Sequence, residues 1–116
     1  ARRGVDVKIV LNNVNNSDHK FVYDSGTIFY HWLITSGVEI YEFKDTMLHA
    51  KIAIVDDEVA VVGSFNLNYR SFLYDGEDVV FIENKDFIRE LSDFYEYGVD
   101  HSELITLEVW EAKIKK

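Results

Sequence analysis

Apolar and polar positions change period several times along the 116-residue chain, and each change marks an element. Val5-Asp6-Val7-Lys8-Ile9-Val10-Leu11 alternates enough to predict a β-strand, with successive side chains on opposite faces. Asn12 to Asp18 is polar and turn-like, and Ser17 or Asp18 offers an N-cap for a helix running to about Ser36. Val22, Phe29 and Leu33 share one stripe of that helix, although Gly26 within it costs about 1 kcal/mol relative to alanine. Gly37 ends it. Val38 to Phe43 alternates cleanly as a strand, Met47 to Val55 is an apolar run that reads as another, and Val59 to Val62 is a third after the polar break Asp56-Asp57-Glu58. Leu67 to Leu73 reads as a short loop or helical turn, and Glu77 to Glu83 as a strand centred on Val79-Val80-Phe81-Ile82. Asn84 or Asp86 caps a helix that carries Phe87, Leu91 and Phe94 at helical spacing and ends near Gly98. Ser102 or Thr106 begins a last amphipathic helix with Leu107 and Trp110, and Lys113, Lys115 and Lys116 near its end suit the helix dipole.

Strand–helix–strand order at the start predicts a βαβ crossover with a parallel pair, and the later hairpin adds antiparallel pairing. The expected class is α/β, a mixed β-sheet flanked by helices, built as one domain over residues 1–116. The chain opens Ala1-Arg2-Arg3-Gly4, and a glycine followed directly by a β run reads as the C-cap of a preceding helix. The expectation is a piece excised from a longer protein.

Composition narrows the chemistry. There are no cysteines, so neither a disulfide framework nor a thiolate metal site is expected. His19, His31, His49 and His101 are scattered without the His/carboxylate spacing of a zinc helix, so no metal and no other cofactor is expected. A net charge of −9 counts against a broad nucleic-acid or anionic-lipid surface, while leaving room for a small positive pocket around Lys51 and Arg70. No apolar run is long enough to span a bilayer and no signal peptide is visible, so the chain by itself is expected to be soluble.

The stretch His49 to Asn66 carries the chemistry. His49 and Lys51, two apart in an expected strand, would face the same way. An ammonium supplies charge for a phosphate, and an imidazole supplies a nucleophile or a proton carrier. Hairpin pairing would bring Gly63-Ser64 and Asn66 back beside them, adding a hydroxyl and an amide as donors for phosphoryl oxygens. Gly63 permits a sharp turn or a close approach to a ligand.

This stretch fills every fixed position of HxKxxxxDxxxxxxGSxN, six identities over 18 residues, and so resembles the HKD motif of the phospholipase D superfamily. Around it, "ARRGVDVKIV", "SDH", "WLITSGVEIYEF", "MLHAKIAIVDDEVAVVGSFNLNYRSF" and "ITLEVWEAK" are similar to successive blocks of the C-terminal half of bacterial cardiolipin synthases. Two departures stand out. Asn68 occupies a position where that family usually has Asp, and Tyr74-Asp75-Gly76-Glu77 replaces its Leu-Asn-Phe-Glu.

The resemblance implies an incomplete half of the phospholipase D fold and a phosphatidyltransferase that exchanges phosphodiester alcohols through a phosphohistidine. Two phosphatidylglycerol molecules would give cardiolipin and glycerol. His49 would attack phosphorus or protonate the leaving alkoxide, Lys51 and Asn66 would hold nonbridging oxygens, and Ser64 would assist. Glu77, 28 residues past His49, stands where the superfamily carries a carboxylate on the imidazole. Asp56 and Gly63 read as structural members of the motif. Arg70 divides evenly between a lipid phosphate and an acidic neighbour such as Asp75. One motif is half a site in this superfamily, so a second is expected from the same longer chain, from a homodimer, or from a degenerate half. On the first reading the chain alone would be folded with little or no activity, and the parent protein would associate with the bacterial inner membrane. The alternatives are a hydrolytic phosphodiesterase acting on phospholipid or nucleic acid, and a non-enzymatic scaffold half-domain.

Overall fold

A computed structural model describes residues 1–16 and 20–115, the side chains of Lys20, Val22 and Tyr69 excepted. Along the chain come β1 (Val7–Asn12), a single 3-10 turn (Val14–Asn16), α1 (Lys20–Thr27), α2 (Tyr30–Thr35), β2 (Val38–Phe43), β3 (Ile52–Val55), β4 (Val59–Gly63), α3 (Tyr69–Leu73), β5 (Val79–Ile82), α4 (Lys85–Asp100), β6 (Ser102–Leu104) and α5 (Leu107–Ile114). They form two compact units, Ala1–Leu48 with Tyr97–Lys116, and His49–Glu96. The α/β class holds, with one refinement. The strands form two three-stranded sheets, one in each unit, and only the first is mixed.

In the first unit β1 pairs parallel with β2, Val7 opposite Val38 through Asn12 opposite Phe43, so the expected βαβ crossover is present. β6 adds to the other side of β2 in antiparallel fashion, Tyr41 opposite Leu104. Tyr30, Val38, Ile40 and Ile105 form the buried centre, and Val109 and Trp110 of α5 pack on it. The first helix is two helices, not one. Trp110 Nε1 donates to Thr27 O at 3.2 Å, occupying the carbonyl that a continuous helix would give to His31. Ser25 and Thr27 also bond back to the carbonyls of Phe21 and Asp24, and Gly26 between them is a weak helix former. Gly37, at φ +91°, follows α2 and donates to Ile34 O, a glycine stop as expected. The proposed N-cap at Ser17 or Asp18, and His19, lie outside the described residues.

The end of the chain also differs from expectation. α4 is capped by Asn84, whose Oδ1 accepts from Phe87 N at 3.0 Å, but it continues through Gly98 to Asp100. Ser102 begins β6 and caps no helix. Thr106 is the true cap of α5, accepting from Val109 N.

The second unit is an antiparallel meander, β3-β4-β5. Residues 55–58 form its first turn, with Glu58 N bonded to Val55 O at 3.0 Å. Asp56 and Asp57 both take φ above +50°, the mirror-image turn that matches strand twist and that Asp tolerates better than most residues. Among the described residues, Ala60 of the central strand and Ile88 of α4 are its buried apolar ones.

Candidate active site

All of the motif residues lie in the second unit. β3 begins at Ile52, later than the expected Met47, so His49 and Lys51 precede the strand. The cause lies in the first unit, where the Asn12 amide bonds both Leu48 O at 2.8 Å and Leu48 N at 2.5 Å. A side chain thereby takes the backbone groups that a ladder would have used. Hairpin pairing resumes at Lys51, whose carbonyl accepts from Gly63 N at 3.3 Å. Lys51 Nζ donates to His49 O at 3.0 Å, which draws the ammonium to the His49 backbone. The His49 side chain is exposed, and no hydrogen bond engages its imidazole among the described residues.

Gly63 ends the central strand, with Lys51 on one side and Val79 on the other. A Cβ there would lie 2.2 Å from Asp78 O and 2.8 Å from Val79 Cα. Its small size therefore serves the approach of β5. Gly63→Ala is expected to lower the unfolding free energy by about 2 kcal/mol or more, because backbone must move to admit the methyl group. Urea unfolding of the two proteins measures this, and an unchanged midpoint would remove the steric account.

Beyond Gly63 the site becomes a hydrogen-bonded clasp. Ser64 N donates to Asp78 O at 3.0 Å and Asp78 N donates to Ser64 Oγ at 3.1 Å. The Ser64 hydroxyl donates to Glu77 Oε2 in a short bond. The other carboxylate oxygen, Oε1, accepts from Ser71 Oγ at 2.7 Å. Those two hydroxyls, with the charge of Lys51 behind them, hold the Glu77 carboxyl below its ordinary value. Stabilised in its charged form, Glu77 contributes stability that is complete above the ordinary carboxylate range and is lost as pH falls through the lowered folded value. Glu77 thus meets two serines, and an imidazole is not among its hydrogen-bond partners in the described residues.

Two residues here had no role assigned from sequence. Ser71 is 6% exposed and also accepts from Asn66 N at 3.3 Å. Asn68 caps α3, its Oδ1 accepting from Ser71 N at 2.9 Å. Asn and Asp cap comparably well, so the departure at Asn68 preserves this local device. The signal in the sequence was the pair Asn68 and Ser71, three apart at the start of a helical turn. The Asn66 side chain is exposed on the loop that these bonds secure. Arg70 Nε pairs with Asp75 Oδ1 at 3.0 Å, the acidic neighbour of the two options. Asp56 lies in the hairpin turn, at the opposite end of β3 from Lys51. Among the described residues, no group of three or more His, Asp or Glu is placed to hold a metal ion.

The fold is that of the phospholipase D family. A phospholipase D family member, Nuc from Salmonella typhimurium, superposes with a TM-score of 0.70 at 23% identity, covering 90% of this chain and 67% of that one. NucT from Helicobacter pylori does so with a TM-score of 0.71 at 17% identity, covering 89% and 67%. Sequence carries the assignment further. The family model for the phospholipase D-like domain of cardiolipin synthase matches residues 1–97, and the chain belongs to that family. It is 34% identical over 113 residues to cardiolipin synthase 1 of Staphylococcus epidermidis, and 34% identical over 110 residues to cardiolipin synthase A of Escherichia coli. The matches cover 97% and 95% of this chain but only 23% and 22% of those proteins.

Proposed function

We propose that the protein is a cardiolipin synthase-like phosphatidyltransferase in which His49 takes part in a phosphohistidine exchange. One observation carries this proposal: a family member holds the full set His49, Lys51, Ser64 and Asn66 on the segments that lead into and out of one hairpin, with Glu77 bound to Ser64. In the exchange, one imidazole attacks the phosphorus of phosphatidylglycerol and the bond to the glycerol headgroup oxygen breaks. The histidine of a second motif protonates the departing alkoxide. The hydroxyl of a second phosphatidylglycerol then gives that proton back and attacks the phosphohistidine, yielding cardiolipin and freeing the imidazole. Lys51 and Asn66 hold the nonbridging oxygens, where charge builds up. His49 is one of the two imidazoles.

The second motif comes from elsewhere in the same protein or from a homodimer partner. The edge strand β5 leaves Val79, Val80 and Phe81 exposed, an apolar edge suited to such a neighbour. Leu67, Phe72, Leu73 and Tyr74 are exposed on the segment after the motif, which favours a lipid over a nucleic acid. Phospholipid substrates would bring the protein to a membrane, although among the described residues no helix is long and apolar enough to cross one.

The test is to incubate the full-length protein with phosphatidylglycerol vesicles and identify the lipids by mass spectrometry. Cardiolipin with released glycerol is expected. Phosphatidic acid alone would replace transfer by hydrolysis, and no lipid product at all would overturn the phospholipid assignment.

A further inference from the structure

Resting on that proposed function, we infer that Ser71 is a positioning residue, tying the Glu77 carboxylate to the loop that presents Asn66. Its hydroxyl has one proton to give and lone pairs to receive. The proton goes to Glu77 Oε1 at 2.7 Å, and the oxygen accepts from Asn66 N at 3.3 Å. Its own backbone N–H goes to Asn68 Oδ1 at 2.9 Å. One side chain therefore joins the carboxylate after α3, the loop before α3 and, through its backbone, the cap of the helix itself.

Ser71 is one of two buried polar residues among those described, and burial strengthens bonds that water would otherwise weaken. The opposite carboxylate oxygen is held by Ser64, a motif residue that also clips Asp78. With Ser71 in place, Glu77 is gripped at both oxygens and the Asn66 backbone is fixed. Without it, Oε1 and Asn66 N lose the partners they have here. Phosphoryl transfer depends mostly on placement and preorganised charge, so such loosening is costly even when no group touching the substrate is removed.

The experiment compares the full-length wild type with Ser71→Ala, Ser71→Cys and Ser71→Thr, using phosphatidylglycerol vesicles, with His49→Ala as the inactive control. Ser71→Ala is expected to lower kcat about 10- to 100-fold, the scale of a small misplacement, with KM changed much less. Ser71→Cys keeps the volume but donates weakly, so it should resemble Ser71→Ala and serves if that variant does not fold. Ser71→Thr keeps the hydroxyl and should restore most of the rate. The acid limb of the pH–rate profile provides the second readout. Among the described residues, the groups shown acting on the Glu77 carboxylate are the hydroxyls of Ser64 and Ser71 and the ammonium of Lys51, all favouring its ionised form. Removing one donor moves the limb to higher pH, and unfolding midpoints measured at each pH separate this from loss of folded protein, which would also grow as pH falls.

Wild-type kcat and an unmoved acid limb in both Ser71→Ala and Ser71→Cys would overturn this inference while leaving the phosphatidyltransferase proposal intact. So would a Ser71→Thr protein as impaired as Ser71→Ala. A wild type that produces nothing would overturn that proposal and this inference together.

Discussion

His49→Ala is expected to reduce phosphodiester exchange by at least about 10³-fold while leaving the unfolding midpoint where it was. The size follows from the role. Removing a nucleophile or a general acid leaves only binding and oxyanion stabilisation, and single losses of that kind typically cost three orders of magnitude or more. The unchanged stability follows from the structure. The imidazole is exposed and has no hydrogen-bond partner among the described residues, while the backbone carbonyl that Lys51 Nζ uses survives the substitution. Steady-state turnover on phosphatidylglycerol vesicles and urea unfolding together separate the possibilities. Retained turnover would identify a scaffold half-domain that happens to keep its motif. Lost turnover with lost folding would mean that His49 has structural partners beyond those described.

Much of the local backbone structure could be read in the sequence because its devices are local. The break Asp56-Asp57-Glu58 lies where the hairpin turns, and both aspartates adopt the backbone conformation such a turn requires. Gly63 stands where two strands close on each other, and Gly37 where a helix must stop. What escaped was set by contacts between distant residues. Asn12 reaches Leu48, 36 positions away, and shortens the strand expected to carry His49 and Lys51. Trp110 reaches Thr27, 83 positions away, where one expected helix becomes two. The three-residue β6 exists because β2 offers an open edge, something its own composition does not announce. Glu77 was placed by its spacing from His49, but spacing does not name a hydrogen-bond partner, and the two serines are visible only in three dimensions.

Glu42 is a different case, since the strand's alternation held the information. Val38, Ile40 and Glu42 share one parity, so the face that buries two aliphatic side chains also buries a carboxylate, which is 0% exposed. Its oxygens are satisfied by Tyr23 OH at 2.6 Å and Lys113 Nζ at 2.6 Å. Burial first, and the Glu42 carboxylate second, raise both Tyr23 and Tyr30 above the ordinary phenol range, so both remain donors. Lys113 also reaches Glu103 at 3.2 Å. Its own burial would lower its pKa, but the two carboxylates outweigh that and raise it.

Lys113→Ala is therefore expected to cost about 3 kcal/mol, because it strands a buried carboxylate whose countercharge is gone. The figure sits at the low end for broken buried pairs because Lys113 is 36% exposed and the tyrosines remain. Against a total stability of about 5–15 kcal/mol for a chain of this kind, the loss is large. The double variant Lys113→Met with Glu42→Gln should lose much less, since it removes the charge together with its partner. The pH dependence has a definite sign. A lysine whose folded pKa is raised contributes stability in full below its ordinary value of 10.5, and that contribution disappears as pH rises through the raised folded value. Urea titrations of the three proteins at neutral pH, repeated for the wild type at alkaline pH, test both halves. A Lys113→Ala protein within about 1 kcal/mol of wild type would show that the tyrosine hydroxyls alone sustain the buried charge.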